Sequence, residues 1–136
     1  VLKWGAMKSK SSAKMGKLKI KRAYDPPSVD DGVRILVDGL WPRGKTKEEM
    51  QLDLWLKSVA PSLDLRKWFS HDPEKWAEFQ RKYLSELEAN REELNPIVDA
   101  LKMGAVTLVY GARDQEHNNA LCLKQFLERY YHLKSN

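Results

Sequence analysis

Two short stretches of this chain gather side chains that can bind or move charge. The first is Ile35-Leu36-Val37-Asp38-Gly39-Leu40-Trp41-Pro42-Arg43-Gly44, an apolar run that ends in an acid and opens into a loop of Trp, Pro, Arg and Gly. Many α/β proteins build a site this way, with a rigid strand delivering charged residues onto a loop. Asp38 can act there as a general base, a metal ligand or an orienter of an arginine, or it can pair with Arg34 or Arg43 to tie the loop down. Arg43, between Pro42 and Gly44, can grip a carboxylate or phosphate bidentately or sit idle at the surface. Trp41-Pro42 stiffens the loop, and Trp41 offers a pocket wall.

The second stretch runs from Tyr110 to Asn119 through Gly111, Ala112, Arg113, Asp114, Gln115, Glu116, His117 and Asn118. It leads from a strand into a helix, whose free N–H groups and positive dipole end suit an anion. Arg113 adds a full charge. Asp114 has a competing role as N-cap of the last helix. Asn118 and Asn119 are poor helix formers in a first turn, so hydrogen bonding to a ligand or to the neighbouring loop is expected of them. His117 reads equally as solvated or functional. Between the two stretches, Arg66 and His71 flank Trp68-Phe69; a histidine just past bulky aromatics has an easily tuned pKa, or caps a helix C-terminus. The expected set is therefore Asp38 and His71 as catalytic groups, with Arg43, Arg66, Tyr110, Arg113, Asp114, Asn118 and Asn119 contacting an anion.

Other chemistries find no support. The chain has no Walker loop, no G-x-G-x-x-G, no G-x-S-x-G and no H-E-x-x-H. Three His and one Cys make a structural zinc site a poor reading, and Asp38 with Asp114 lacks a metal-ligand spacing. No metal and no cofactor is expected. Cys122, between Leu121 and Leu123, reads as a core thiol.

The elements that must position these groups follow from periodicity. Lys17–Tyr24 alternates as a strand, and Val33–Leu40 is apolar enough to be covered on both faces. Thr46 with Glu49 matches a capping box that opens a helix to about Val59, stopped by Ala60-Pro61-Ser62. A short helical turn, Leu63–Phe69, precedes Asp72-Pro73, an N-cap with Pro at N1. Trp76, Phe79, Tyr83 and Leu87 then form the stripe of an amphipathic helix. Asn95-Pro96 repeats the cap-and-proline device before a helix Ile97–Met103, with Gly104 beyond its end. Ala105–Tyr110 is a third strand, and His117–Leu133 the last helix, with Leu121, Leu127 and Tyr131 facing inward.

Near-continuous apolar strands separated by helices imply a small, mostly parallel sheet of three or four strands with flanking helices, a three-layer, Rossmann-like α/β fold. The first strand is expected at an edge. Ligands in such folds bind beyond the carboxyl ends of the strands, so the loops after Val37 and Val109 must lie side by side.

Charge separates the chain into two parts. All eight basic residues of segment 1–22 occur without an acid, whereas 23–136 carries 16 basic and 19 acidic residues. The net charge of +5 therefore belongs to the N-terminal segment. Residues 1–16 are expected to be a disordered basic tail, touching nucleic acid at most weakly, and 17–136 a single α/β domain. No run is long and apolar enough to span a bilayer, so no membrane partner is expected, and the lone cysteine suits a cytoplasmic location.

The runs Lys21–Asp25, Asp31–Asp38, Leu40-Trp41-Pro42-Arg43-Gly44, Ala60-Pro61-Ser62, Leu65–Phe69 with His71, and Asn118-Asn119-Ala120 resemble the YeaO-like proteins. These are a bacterial and archaeal family catalogued as domain of unknown function 488, and the resemblance spans about residues 18–132. It implies a compact α/β fold, a cytosolic location and no established activity. Gly39 departs from it, since many relatives carry Arg there. A longer branch places Cys-His-Arg near Asn118-Asn119-Ala120, which implies that a thiol mechanism is absent here. The expected function is a small α/β domain with a cleft for a phosphate or carboxylate. The alternatives are a non-enzymatic protein-interaction module with an Arg/Asp ion network, or weak nucleic-acid binding through the tail.

Overall fold

A computed structural model describes residues 15–133. The expected disordered tail falls almost wholly on residues outside that range. At its boundary, Met15 packs against the core and the Gly16 N–H donates to the Leu101 carbonyl at 2.7 Å.

Four strands form one parallel sheet: β1 (Leu18–Arg22), β2 (Val33–Leu36), β3 (Leu54–Trp55) and β4 (Val106–Tyr110), in the order β1-β4-β2-β3. The most apolar strand, β4, takes the centre and is buried throughout. It pairs Leu18 with Val106 on one side and Val33 with Val106 on the other. The first strand lies at an edge, as its alternation with half-buried lysines suits.

Five helices flank the sheet: α1 (Lys47–Met50), α2 (Leu63–Phe69), α3 (Trp76–Ala89), α4 (Asn95–Met103) and α5 (Asn119–Tyr130). Helices α2 to α5 turn Leu65, Phe79, Tyr83, Ile97, Leu101, Leu123 and Leu127 onto the face that carries Ile35, Val106 and Leu108. Met50 of α1, with Trp41, Leu52 and Trp55, covers Leu36 and Val109 on the opposite face, which completes the three layers. Among the described residues no helix is long and apolar enough to cross a membrane.

Several expected boundaries move. The Thr46 capping box forms, with the Glu49 N–H on the Thr46 hydroxyl at 3.1 Å and the Thr46 N–H on Glu49 Oε1 at 2.9 Å. The helix it opens stops at Met50 instead of reaching Val59, because Gln51 turns left-handed (φ 46°). Leu54 and Trp55 then form the short strand β3, and the N–H groups of Asp53 and Leu56 bond the carbonyls of Arg34 and Leu36 at 2.9 Å. β2 ends at Leu36, although the Val37 N–H still reaches the Val109 carbonyl at 3.0 Å. Asn95 is no cap: a 3-10 turn over Arg91–Leu94 runs directly into α4. Helix α5 starts at Asn119, capped by Asn118 and not by Asp114; the Asn118 side chain accepts from the Leu121 N–H at 2.8 Å.

Candidate functional site

Placing β4 beside β2 sets the loops that follow them side by side, as strand-end geometry demands. The join is direct. Asp38 Oδ2 accepts from the Gly111 N–H at 2.8 Å, and Asn119 donates to the Val37 carbonyl at 3.2 Å. Gly111 eases this approach, since a Cβ there would stand a tight 3.3 Å from Asp38 Oδ2. The first loop is braced by its tryptophans: Trp41 Nε1 bonds the Lys45 carbonyl at 2.6 Å, Trp55 Nε1 the Asp38 carbonyl at 2.8 Å, and the two rings meet edge to face at 5.4 Å.

Beyond these strand ends lies a cavity of about 330 Å³. Asp38, Arg43, Arg66, His71, Asn118 and Asn119 of the expected set line it. The other three do not. Tyr110 belongs to β4 and is buried in the core, where burial raises its pKa. Arg113 is exposed outside the lining, and Asp114 acts one step back, through His117.

Arg66 and Asp38 dominate the charge of the site. α2 presents Arg66 half-buried, its guanidinium lying over the backbone at Gly39, where a Cβ would come within 3.2 Å of Cζ. Among the described residues its side chain makes no hydrogen bond and no ion pair, and its Nε is buried without a partner. Asp38 Oδ1 is likewise buried and unpartnered. Burial lifts the Asp38 carboxyl above the ordinary carboxylate range, against the Gly111 N–H, the Asn119 side chain and the charges of Arg66 and His71. The alternative pairings of Asp38 are not made. Arg34 binds Asp31 at 2.7 Å instead, and Arg43 makes no ion pair within the described residues.

His71 follows Ser70, and both are left-handed (φ 56° and 47°), an uncommon conformation for residues other than glycine. Ser70, not His71, is the C-cap of α2. The pair reverses the chain and sets His71 at the cavity, 6.2 Å from the Phe69 ring. Asn118, at 2% exposure, is used up structurally: its amide donates to the Asp114 carbonyl at 3.0 Å and its oxygen caps α5.

Sequence reasoning missed Tyr24, whose hydroxyl donates to the Arg43 carbonyl at 2.9 Å and holds the rim of the cavity. It also left His117 undecided. His117 lines the cavity, with its Nδ1 2.8 Å from Asp114 Oδ2 and its ring edge-on to Trp76 at 5.2 Å. Hydrogen bonds from the Glu116 N–H, and next from His117, hold the Asp114 carboxyl below its ordinary value. The three-residue spacing of Asp114 and His117 was the available signal. Cys122 is a core thiol as expected, pushed up to about 12 by burial. Among the described residues no cluster of three or more His, Cys, Asp or Glu could hold a metal.

Fold and site together define an α/β protein with a mixed-charge cleft beyond the carboxyl ends of a parallel sheet. The chain belongs to the DUF488-N3i family, described as the inactive DUF488-N3 subclade, whose profile matches residues 17–136. It is 42% identical over 110 residues to the uncharacterized protein YeaO of Escherichia coli (strain K12), covering 81% of this chain and 96% of that one. It is also 36% identical over 113 residues to the uncharacterized protein Rv3073c of Mycobacterium tuberculosis (strain ATCC 25618 / H37Rv), covering 82% and 93%. No solved structure matches it.

Proposed function

We propose that the cleft binds a small carboxylated or phosphorylated molecule and that the protein acts by binding it, in the cytosol, without covalent turnover. The observation that carries this is Arg66: a half-buried guanidinium in a 330 Å³ cavity with no hydrogen bond or ion pair from the described residues. Withdrawing a guanidinium from water without a partner is unfavourable, and a carboxylate or phosphate supplies the missing fork of acceptors. Arg43 at the rim adds a second cation, and Asp38, fixed by Gly111, faces a donor on the ligand. Asp38 and His71 then orient the ligand.

Two observations favour binding over turnover. Among the described residues the lining contains no Ser, Thr, Cys or Lys, and the family's description calls its subclade inactive. The test is calorimetric titration of the 136-residue chain with inorganic phosphate and with acetate, repeated on Arg66→Gln. Saturable binding of at least one anion, weakened about tenfold or more in the variant, is the expected result. Equal binding by the variant, or none by either protein, removes the proposal.

A further inference from the structure

We propose that the ligand's anionic group is a phosphate monoester and not a carboxylate, with His117 as its second anchor and Asp114 as the residue that positions that imidazole. This rests on the reading of the cleft as an anion site, and concerns which anion it takes.

The argument begins with His117. It enters the cavity from the loop before α5, while Arg66 enters from α2, so two separate elements supply cationic or donor groups to one space. The imidazole is fixed on two sides, by the Asp114 carboxylate at 2.8 Å and by the edge-on Trp76 ring. An ionised carboxylate only accepts, so the Nδ1 facing Asp114 carries the hydrogen, and Nε2 is the nitrogen left for a ligand. The Asp114 carboxylate is itself anchored by the N–H groups of Glu116 and His117, at 2.9 and 3.1 Å. A surface histidine without a task has no need of such a mount.

What Nε2 can accept or give then separates the two anions. A phosphate monoester carries or sheds its second proton near neutrality, with a pKa of about 6. It therefore meets Nε2 in either state: the monoanion donates its P–OH to neutral Nε2, or the dianion accepts from the imidazolium. A carboxylate, ionised from about pH 4 upward, offers no proton and depends on the imidazolium alone. Three terminal oxygens on a tetrahedral phosphorus also let a phosphate take the Arg66 fork with two and turn the third toward His117, whereas a planar carboxylate can offer His117 only the remaining lone pairs of the two oxygens on the fork. Phe69, Phe79, Trp41 and Pro61 supply an apolar wall for the ester group.

The experiment titrates phenyl phosphate and benzoate, which share a ring and differ in the anion, into the unaltered chain, Arg66→Gln, His117→Gln and Asp114→Asn. Phenyl phosphate is expected to bind about tenfold or more tighter than benzoate. His117→Gln should erase that preference by weakening phenyl phosphate alone, and Asp114→Asn should reduce it part of the way. Arg66→Gln should weaken both probes. A preference that survives His117→Gln, or equal binding of the two probes by the unaltered chain, overturns the phosphate assignment and leaves the anion site standing. Indifference of both probes to Arg66→Gln overturns the anion site itself. Should His117→Gln fail to fold, the Asp114→Asn ratio decides.

Discussion

The protein holds two Asp–Arg arrangements close to strand β2, and they are built on opposite terms. Before the strand, Asp31 is buried at 2% exposure and takes Lys21 at 2.9 Å, Arg34 at 2.7 Å and the Ser28 N–H at 2.9 Å. Arg34 in turn donates its Nε to the Met50 carbonyl at 3.0 Å. After the strand, Asp38 and Arg66 line one cavity yet form no ion pair. The same residue types form an ion-paired strut at one place and share a cavity without pairing at the other. Asp31 has both carboxylate oxygens partnered and Asp38 only one, while Arg34 Nη2, like Arg66 Nε, is buried without a hydrogen bond.

The comparison can be broken at several points, beginning with the largest effect. Asp31→Ala strands Arg34 and Lys21 without their shared partner, and should cost about 3–5 kcal/mol in urea unfolding. A loss under 1 kcal/mol would mean that the strut carries nothing. The acid limb of stability tests the same cluster. Burial alone would raise the Asp31 carboxyl, but Lys21, the Ser28 N–H and Arg34 outweigh it and hold it at about 2, against an ordinary 3.8. Its contribution is complete above the unfolded value and disappears as the pH falls through the folded one. Between about pH 4 and pH 2 the chain should therefore lose about 2 kcal/mol that Asp31→Asn does not lose.

Asp38 should show the opposite sign. Folding raises its pKa, so the folded state is favoured while the carboxyl is protonated, and that advantage is lost as the pH rises through the folded value. Asp38→Asn keeps an acceptor for Gly111 without that charge. Its melting temperature at pH 7 should exceed that of the unaltered chain, and the gap should close in acid. A variant that melts lower at pH 7 would place Asp38 among the struts. The smallest effect belongs to Arg66→Gln, which has no hydrogen bond or ion pair to lose among the described residues and should move unfolding by no more than about 0.5 kcal/mol in the absence of ligand.

How much of this was legible in the sequence depended on the range of the signal. Short-range chemistry was readable: the Thr46 capping box, the Asp72-Pro73 entry to α3 and the Phe79-Tyr83-Leu87 stripe all appear. The parallel sheet and the adjacency of the loops after Val37 and Val109 followed from buried strands between helices. Failures came where a tertiary partner overrode a local preference. The capping box promised a long helix, but β2 had an open edge, and Leu54-Trp55 with the N–H groups of Asp53 and Leu56 pairs along it. Asp114 looked like a helix cap because Asp suits that position, but Asn118 fills it, and Asp114 instead holds His117. Tyr110 was placed in the site by its nearness in sequence to Gly111, while strand alternation turned it into the core. Tyr24 was missed because its link to Arg43 joins β1's exit to a loop that sequence spacing does not connect.

The position of β4 bears on how the molecule comes into being. It is the central strand, yet it is the last to be made, and β1 and β2 bond to it instead of to each other. On the ribosome β1, and the edge of β2 that β3 does not take, must wait unpaired until β4 has emerged. Non-local parallel pairing of this kind is slow to form and exposed to aggregation while it waits. Lysines at 17, 19 and 21, on and beside the waiting edge strand, are the residues that keep such an edge from meeting a second chain. The cleft inherits the same timetable: its first wall, residues 38–43, is made early, and its second, residues 111–119, follows only after β4.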